Sequence, residues 1–193
     1  NTGIGYFALK ANTTGAQNTA VGKGAGQALT TGSYSVFIGD AAGDAVTTAD
    51  SNVAVGQNAL TNTTTGSVNT AIGRQALQTN TTGSNNIAVG NVGMGEYAMS
   101  GTTTGADNTA IGKSALQANT TGDQNVALGR SSMLNNQTHH RNTSVGYQSM
   151  ASGVQGDNNV ALGYNSLYTN TADNNTALGY NSWVANTSGT LNT

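Results

Sequence analysis

The sequence predicts an all-β chain, a parallel β-solenoid of about eleven coils of 17 residues each. Three observations predict it. A five-residue phrase returns along the chain: NTAVG at 18–22, NVAVG at 52–56, NTAIG at 69–73 and 108–112, NIAVG at 86–90, NVALG at 125–129 and 159–163, and NTALG at 175–179. Its fourth residue is a branched aliphatic and its fifth a glycine in every copy. The connecting stretches often read NTTG, as at 12–15, 80–83 and 119–122, and proline is absent. So short a repeat cannot bury its apolar residues alone, whereas stacked repeats can. No helical face recurs every 17 residues with glycine at two fixed places, which argues against a helical solenoid.

With the first residue of each phrase as position 1, repeats start at Asn1, Asn18, Ser35, Asn52, Asn69, Asn86, Asn108, Asn125, Asn142, Asn159 and Asn175, and a twelfth begins at Asn192. The sixth is five residues longer, because NVGMG (91–95) lies inside it, and the tenth is one shorter, around TADN (171–174). Each coil is expected to hold a short strand at positions 1–4, a bend at Gly5-type positions, a second extended piece around 6–10 and a TTG turn. Equivalent residues then stack about 4.8 Å apart, giving an aliphatic ladder at position 4, an Asn ladder at position 1 and a rod of roughly 53 Å. Position 9 is large and apolar except at Gly26 and Gly43, where Leu29 and Val46 follow three places later and are expected to fill the same space. Glycine at position 15 reads as a turn residue with positive φ, replaced by Ala49, His139 and Asp173.

Along the first strand, positions 2 and 4 point one way and position 3 the other. Both faces are apolar. Position 4 is expected to line the coil, leaving the small row at position 3 (Ala20, Ala54, Ala71, Ala88, Ala110, Ala127, Ala161, Ala177) as the contact between subunits of an oligomer, most simply a parallel trimer about the rod axis. The competing reading is a monomer with that row under a loop.

Composition excludes several function classes. Charged residues are 7% of the chain, with six Lys+Arg against eight Asp+Glu, which gives no electrostatic case for nucleic acid or an acidic membrane surface. Cysteine is absent, so no disulfide or thiolate–metal site is expected. No apolar run reaches membrane-spanning length and no signal peptide is present. The acidic residues are scattered and mostly sit at turns, the calcium repeat GGxGxD is missing, and no GK[ST] opens a helix. We therefore expect no enzyme, no cofactor and no metal site. THHR (138–141) is the unusual cluster: His139 and His140 read as a surface turn or, on a trimer axis, as a metal or anion site. The chain reads as one repeat domain, 1–193, from a longer fibre.

Specificity is expected at outward positions. Position 6 is mixed in the first eight coils and then becomes Tyr147, Tyr164 and Tyr180, with Tyr168 and Trp183 nearby. Such a row either stabilises the sheet surface or stacks on a sugar or protein partner. Position 13 is Thr in most repeats, which keeps an ice-binding solenoid open as the alternative function.

The NxA-aliphatic-G-xx-AL phrase with NTTG between copies resembles the head repeats of trimeric autotransporter adhesins (YadA-like heads). It resembles still more the 17-residue arrays of phage tail-fibre and related surface-fibre proteins. The resemblance spans essentially the whole chain. It implies a left-handed, trimerised parallel β-roll in an extracellular or virion fibre whose partners are its own copies and a cell-surface glycan or protein receptor. It assigns no catalytic residue.

Overall fold

The computed structural model describes residues 1–89, 97–152, 156–186 and 188–189. It is a parallel β-solenoid, and no helix occurs among the described residues. Eleven three-residue strands, one per coil, form a single sheet: β1 (Thr2–Ile4), β2 (Thr19–Val21), β3 (Val36–Ile38), β4 (Val53–Val55), β5 (Thr70–Ile72), β6 (Ile87–Val89), β7 (Thr109–Ile111), β8 (Val126–Leu128), β9 (Thr143–Val145), β10 (Val160–Leu162) and β12 (Thr176–Leu178). Neighbours pair in parallel and in repeat register, for example Ala54↔Ala71 and Ala110↔Ala127. A second, two-stranded sheet joins β11 (Thr169–Asn170) to β13 (Ala185–Asn186).

The register continues through the polar ladders. The side chain at position 1 accepts the backbone N–H of position 1 in the next coil, as in Asn69 N–H to Asn52 Oδ1 (2.9 Å) and Asn125 N–H to Asn108 Oδ1 (2.9 Å). The same Asn donates Nδ2 to the position-15 carbonyl of its own coil, as Asn69 does to Gly83 (2.9 Å). The expected Asn ladder is therefore present; it spaces the coils and, except where Ser35 takes the position and where Asn142 and Asn159 leave Nδ2 without this bond, also closes them. The threonines at position 13 donate their hydroxyls to the carbonyl at position 13 one coil on, as in Thr30 to Thr47 (3.0 Å) and Thr103 to Thr120 (3.0 Å).

Positions 6–10 are not extended. Residues at positions 7 and 9 have positive φ in every coil, including Leu60 (52°), Leu77 (51°) and Met133 (49°). The chain there runs through successive tight turns, with Ala8 N–H to Gly5 O, Lys10 N–H to Phe7 O and Asn12 N–H to Leu9 O. This alternation turns the position-9 side chain inward and frees its N–H to bond the next coil, as in Leu60 to the Ala76 carbonyl (3.0 Å). Burial of a large apolar side chain, about 1.5–3 kcal/mol, offsets the roughly 1–2 kcal/mol that the left-handed residue at position 9 costs.

The positive φ expected at position 15 lies instead at position 17, in Gln17, Tyr34, Val68 and their counterparts. At the position-15 glycines, such as Gly15 and Gly32, a Cβ would run into the position-15 carbonyl of the next coil, whereas the fold accommodates Ala49 and His139 at the same position. The short tenth repeat also shifts the alignment. Gly156 faces Ala172, and Asp157 N–H donates to Asp173 Oδ1 (2.7 Å), so Ala172 takes position 15 and Asp173 takes position 16.

The expected facing of the first strand is reversed. Ala20, Ala54, Ala71, Ala88, Ala110, Ala127 and Ala161 are fully buried inside the single chain and Ala177 nearly so. They lie across a narrow coil from position 8, as the Ser132–Ser144 hydroxyl contact (2.7 Å) shows directly. That narrowness is why the row is small. Positions 2 and 4 face outward: Ile38, Ile111 and Leu162 are 40%, 45% and 44% exposed. The core comprises positions 3, 8 and 9, with Leu29 and Val46 buried at position 12. Where position 9 is glycine, Phe37 at position 3 takes the room: a Cβ on Gly26 would sit 2.7 Å from its Cδ2.

Candidate functional site

Three outward features carry recognisable chemistry. The first is the face of the eleven-stranded sheet. Its rows at positions 2 and 4 hold Val, Ile, Leu and Thr, with Ile87 and Val160 43% exposed and no charged side chain in either row. The eight alanines expected at subunit contacts lie behind this face, inside the coil, and so are not on the outer surface.

The second is the tyrosine column. Tyr147 and Tyr164 stack with centroids 5.3 Å apart and planes 11° apart, and Tyr164 and Tyr180 at 5.1 Å and 14°. The Arg130 guanidinium lies 5.6 Å from the Tyr147 centroid and extends the column one coil. Rings stacked along the axis turn faces to one another and edges outward. The column is thus a ridge of edges and hydroxyls, not a strip of open faces. Trp183 and Tyr168 belong to other rows. Trp183 occupies position 9, the place of core leucine or methionine in other coils, with φ of 50°. Tyr168 is at position 10 and half-buried.

The third is a shallow cleft of about 520 Å3 along positions 10 and 11 of the fifth to eighth coils. Gln78, Ser100, Gln117 and Leu134 line it from position 10; Thr79, Gly101, Ala118 and Asn135 line it from position 11. The position-11 N–H bonds the position-10 carbonyl of the next coil, as Gly101 does to Gln117 (2.8 Å), which holds the two rows in register. Sequence reasoning missed this cleft; position 10 is uncharged at eight successive coils, from Thr61 to Val184, so its composition does not mark these four.

The histidine turn is tied into the position-16 ladder. His140 Nδ1 accepts the Asp123 N–H (3.1 Å), which places the proton of the neutral ring on Nε2, and the His140 N–H donates to Asp157 Oδ1 (3.0 Å). His139 Nδ1 lies 3.4 Å from Asp157, and Arg141 lies 3.7 Å from the same carboxylate. Among the described residues no group of three or more His, Asp or Glu is arranged to hold a metal. In the third coil, burial and then the neighbouring Asp40 push the Asp44 carboxyl above its ordinary value of 3.8.

The threonines at positions 13 and 14 differ. Those at 13 spend their hydroxyl protons on the next coil. Those at 14, from Thr14 to Thr138, are exposed on eight successive coils. Of the Asn-x-Thr sequons, Asn80 and Asn119 are fully buried at position 12 and Asn62 is exposed. The 91–95 insertion lies outside the described residues. No helix among the described residues is long and apolar enough to cross a membrane.

No protein-family model, no curated protein and no solved structure matches the chain.

Proposed function

We propose that the chain is a structural and adhesive segment of a homotrimeric extracellular fibre, of the phage tail-fibre or bacterial surface-adhesin kind, that holds or contributes a receptor-binding surface. The observation that carries this reading is the aliphatic face at positions 2 and 4. It is uncharged, aliphatic along position 4 and divided between Val/Ile and Thr along position 2, continuous over eleven strands and periodic at one coil. An occupant must match that period along the whole length, and a second copy of the chain does so by construction. Cyclic symmetry about the rod axis keeps the copies parallel and closes the assembly. The sequence resemblance favours three copies and a left-handed roll. A native mass measurement tests the assembly: a stable monomer removes the proposal.

Adhesion is assigned to the tyrosine column, repeated once per subunit, where weak single contacts gain from multivalency. Replacing Tyr147, Tyr164 and Tyr180 by Ser in a mutant that keeps its oligomeric state reduces binding to cells on this reading; unchanged cell binding removes the tyrosine column as the adhesive surface. The ice-binding alternative keeps one observation in its favour, the exposed position-14 threonines, and a thermal-hysteresis assay decides it.

A further inference from the structure

The cleft at positions 10 and 11 is a candidate ligand site independent of the tyrosine column. Four features define it. Its position-10 and position-11 side chains are all uncharged. The hydroxyl of Ser100 and the amides of Gln78 and Gln117 make no hydrogen bond within the described chain, so their polar capacity is open to a ligand. By contrast, Asn135 is committed to the wall, donating Nδ2 to the Ala151 carbonyl (3.0 Å). Gly101 and Ala118 keep the floor low, and a Cβ on Gly101 would press on the next coil, so the low floor is built into the fold.

We propose that this cleft binds a neutral oligosaccharide lying along the solenoid axis, with the amides of Gln78 and Gln117 and the hydroxyl of Ser100 bonding sugar hydroxyls. An unpaired amide offers both a donor and an acceptor, which suits a hydroxyl that does the same. A site without charge gives no energy to an acidic glycan or a charged peptide. The period also fits. Coils repeat at about 4.8 Å, close to the length of one hexose in an extended β-linked chain, so successive sugars meet equivalent positions. The cleft spans three coil steps, about 14 Å. The same row continues through Ala151 to half-buried Tyr168, two coils beyond Leu134, where an aromatic ring is available to the end of a longer chain. This proposal rests on the cleft alone and holds whether the chain is a trimer or not.

The test uses the whole chain with cello-, malto- and chito-hexasaccharides as neutral probes, a hyaluronan hexasaccharide as the acidic probe and an uncharged hexapeptide as the peptide probe. Binding is read by calorimetry, with oligomeric state read in parallel. The expected result is binding of at least one neutral hexasaccharide in preference to the acidic sugar and the peptide. The double variant Gln78→Ala/Gln117→Ala should then lose roughly tenfold or more in affinity, the scale of two neutral hydrogen bonds. Because neither amide has a partner among the described residues, this variant is expected to keep its fold, checked by circular dichroism. The triple Tyr→Ser variant should bind as the parent does. The proposal is overturned if no neutral hexasaccharide binds at millimolar concentration, if the acidic sugar or the peptide binds better, if the double variant binds unchanged, or if binding is lost in the tyrosine variant.

Discussion

Two neighbouring residues with opposite facings give the sharpest test of how this chain is built. Ala110 is fully buried in the coil, and Ile111, one residue on, is 45% exposed on the sheet face. Ala110→Arg drives a long charged side chain into a space one methyl wide. An unpaired buried charge costs several kcal/mol and overpacking a further 1–3 kcal/mol or so, against a total stability of about 5–15 kcal/mol. The coils around β7 should open, seen as lost β signal by circular dichroism and rapid proteolysis near residue 110. Ile111→Arg should leave the coil intact, because a partly exposed side chain on a single chain can turn to solvent. In the proposed trimer its cost falls on assembly. Fully burying an isoleucine contributes about 1.5–3 kcal/mol, so covering the exposed half contributes roughly 0.7–1.5 kcal/mol per copy, or about 2–4.5 kcal/mol for three. Three guanidinium groups about 10 Å apart across packed sheets would add repulsion of roughly 1.7 kcal/mol per pair at an effective dielectric of about 20. Light scattering on the folded variant should show dissociation. A folded Ala110→Arg protein with altered mass, beside an Ile111→Arg protein with parental mass, would refute the assignment of faces and return the contact to position 3.

Three further outcomes are expected. Phe37→Ala should destabilise by about 3–5 kcal/mol in urea unfolding, and Gly43→Leu should also destabilise because its side chain meets the Phe37 ring. The double variant should be more stable than the sum predicts, since other coils carry leucine at position 9 over alanine at position 3; strict additivity would remove the space-sharing argument. Asp44→Asn should raise the unfolding midpoint at pH 7. A carboxyl whose folded pKa is raised costs the native state stability as pH rises through that value, so the gain should vanish below pH 3.8, and a gain that persists there counts against burial as its cause. Thr64→Val should destabilise modestly, by about 1 kcal/mol, through loss of its bond to the Thr81 carbonyl (3.2 Å), whereas Thr65→Val at position 14 should be near neutral; equal effects would contradict the distinction between the two rows.

The repeat period by itself determined the solenoid, its register and the polar ladders. Residues 17 apart must stack once the coils close, so Asn52 over Asn69 and Thr47 over Thr64 follow from the sequence alone. The shortened tenth repeat shows the limit of counting: which of Ala172 and Asp173 takes position 15 depends on where the chain absorbs the missing residue, and the Asp157–Asp173 bond decides it. The period also says nothing about rotation around the strand. Alternation gave two faces at positions 2–4, and because both are apolar, hydrophobicity could not say which is inside. Only the folded coil decides. The left-handed residues at positions 7 and 9 bring position 8 across a narrow gap to position 3, so the small row must face inward and the aliphatic row outward. The tyrosine row was legible as a row but not as a stack of edges, because ring orientation depends on the neighbouring coil. The cleft was not legible at all, since it exists through Gly101, Ala118 and amides left without partners, and absence of a partner is a property of three dimensions.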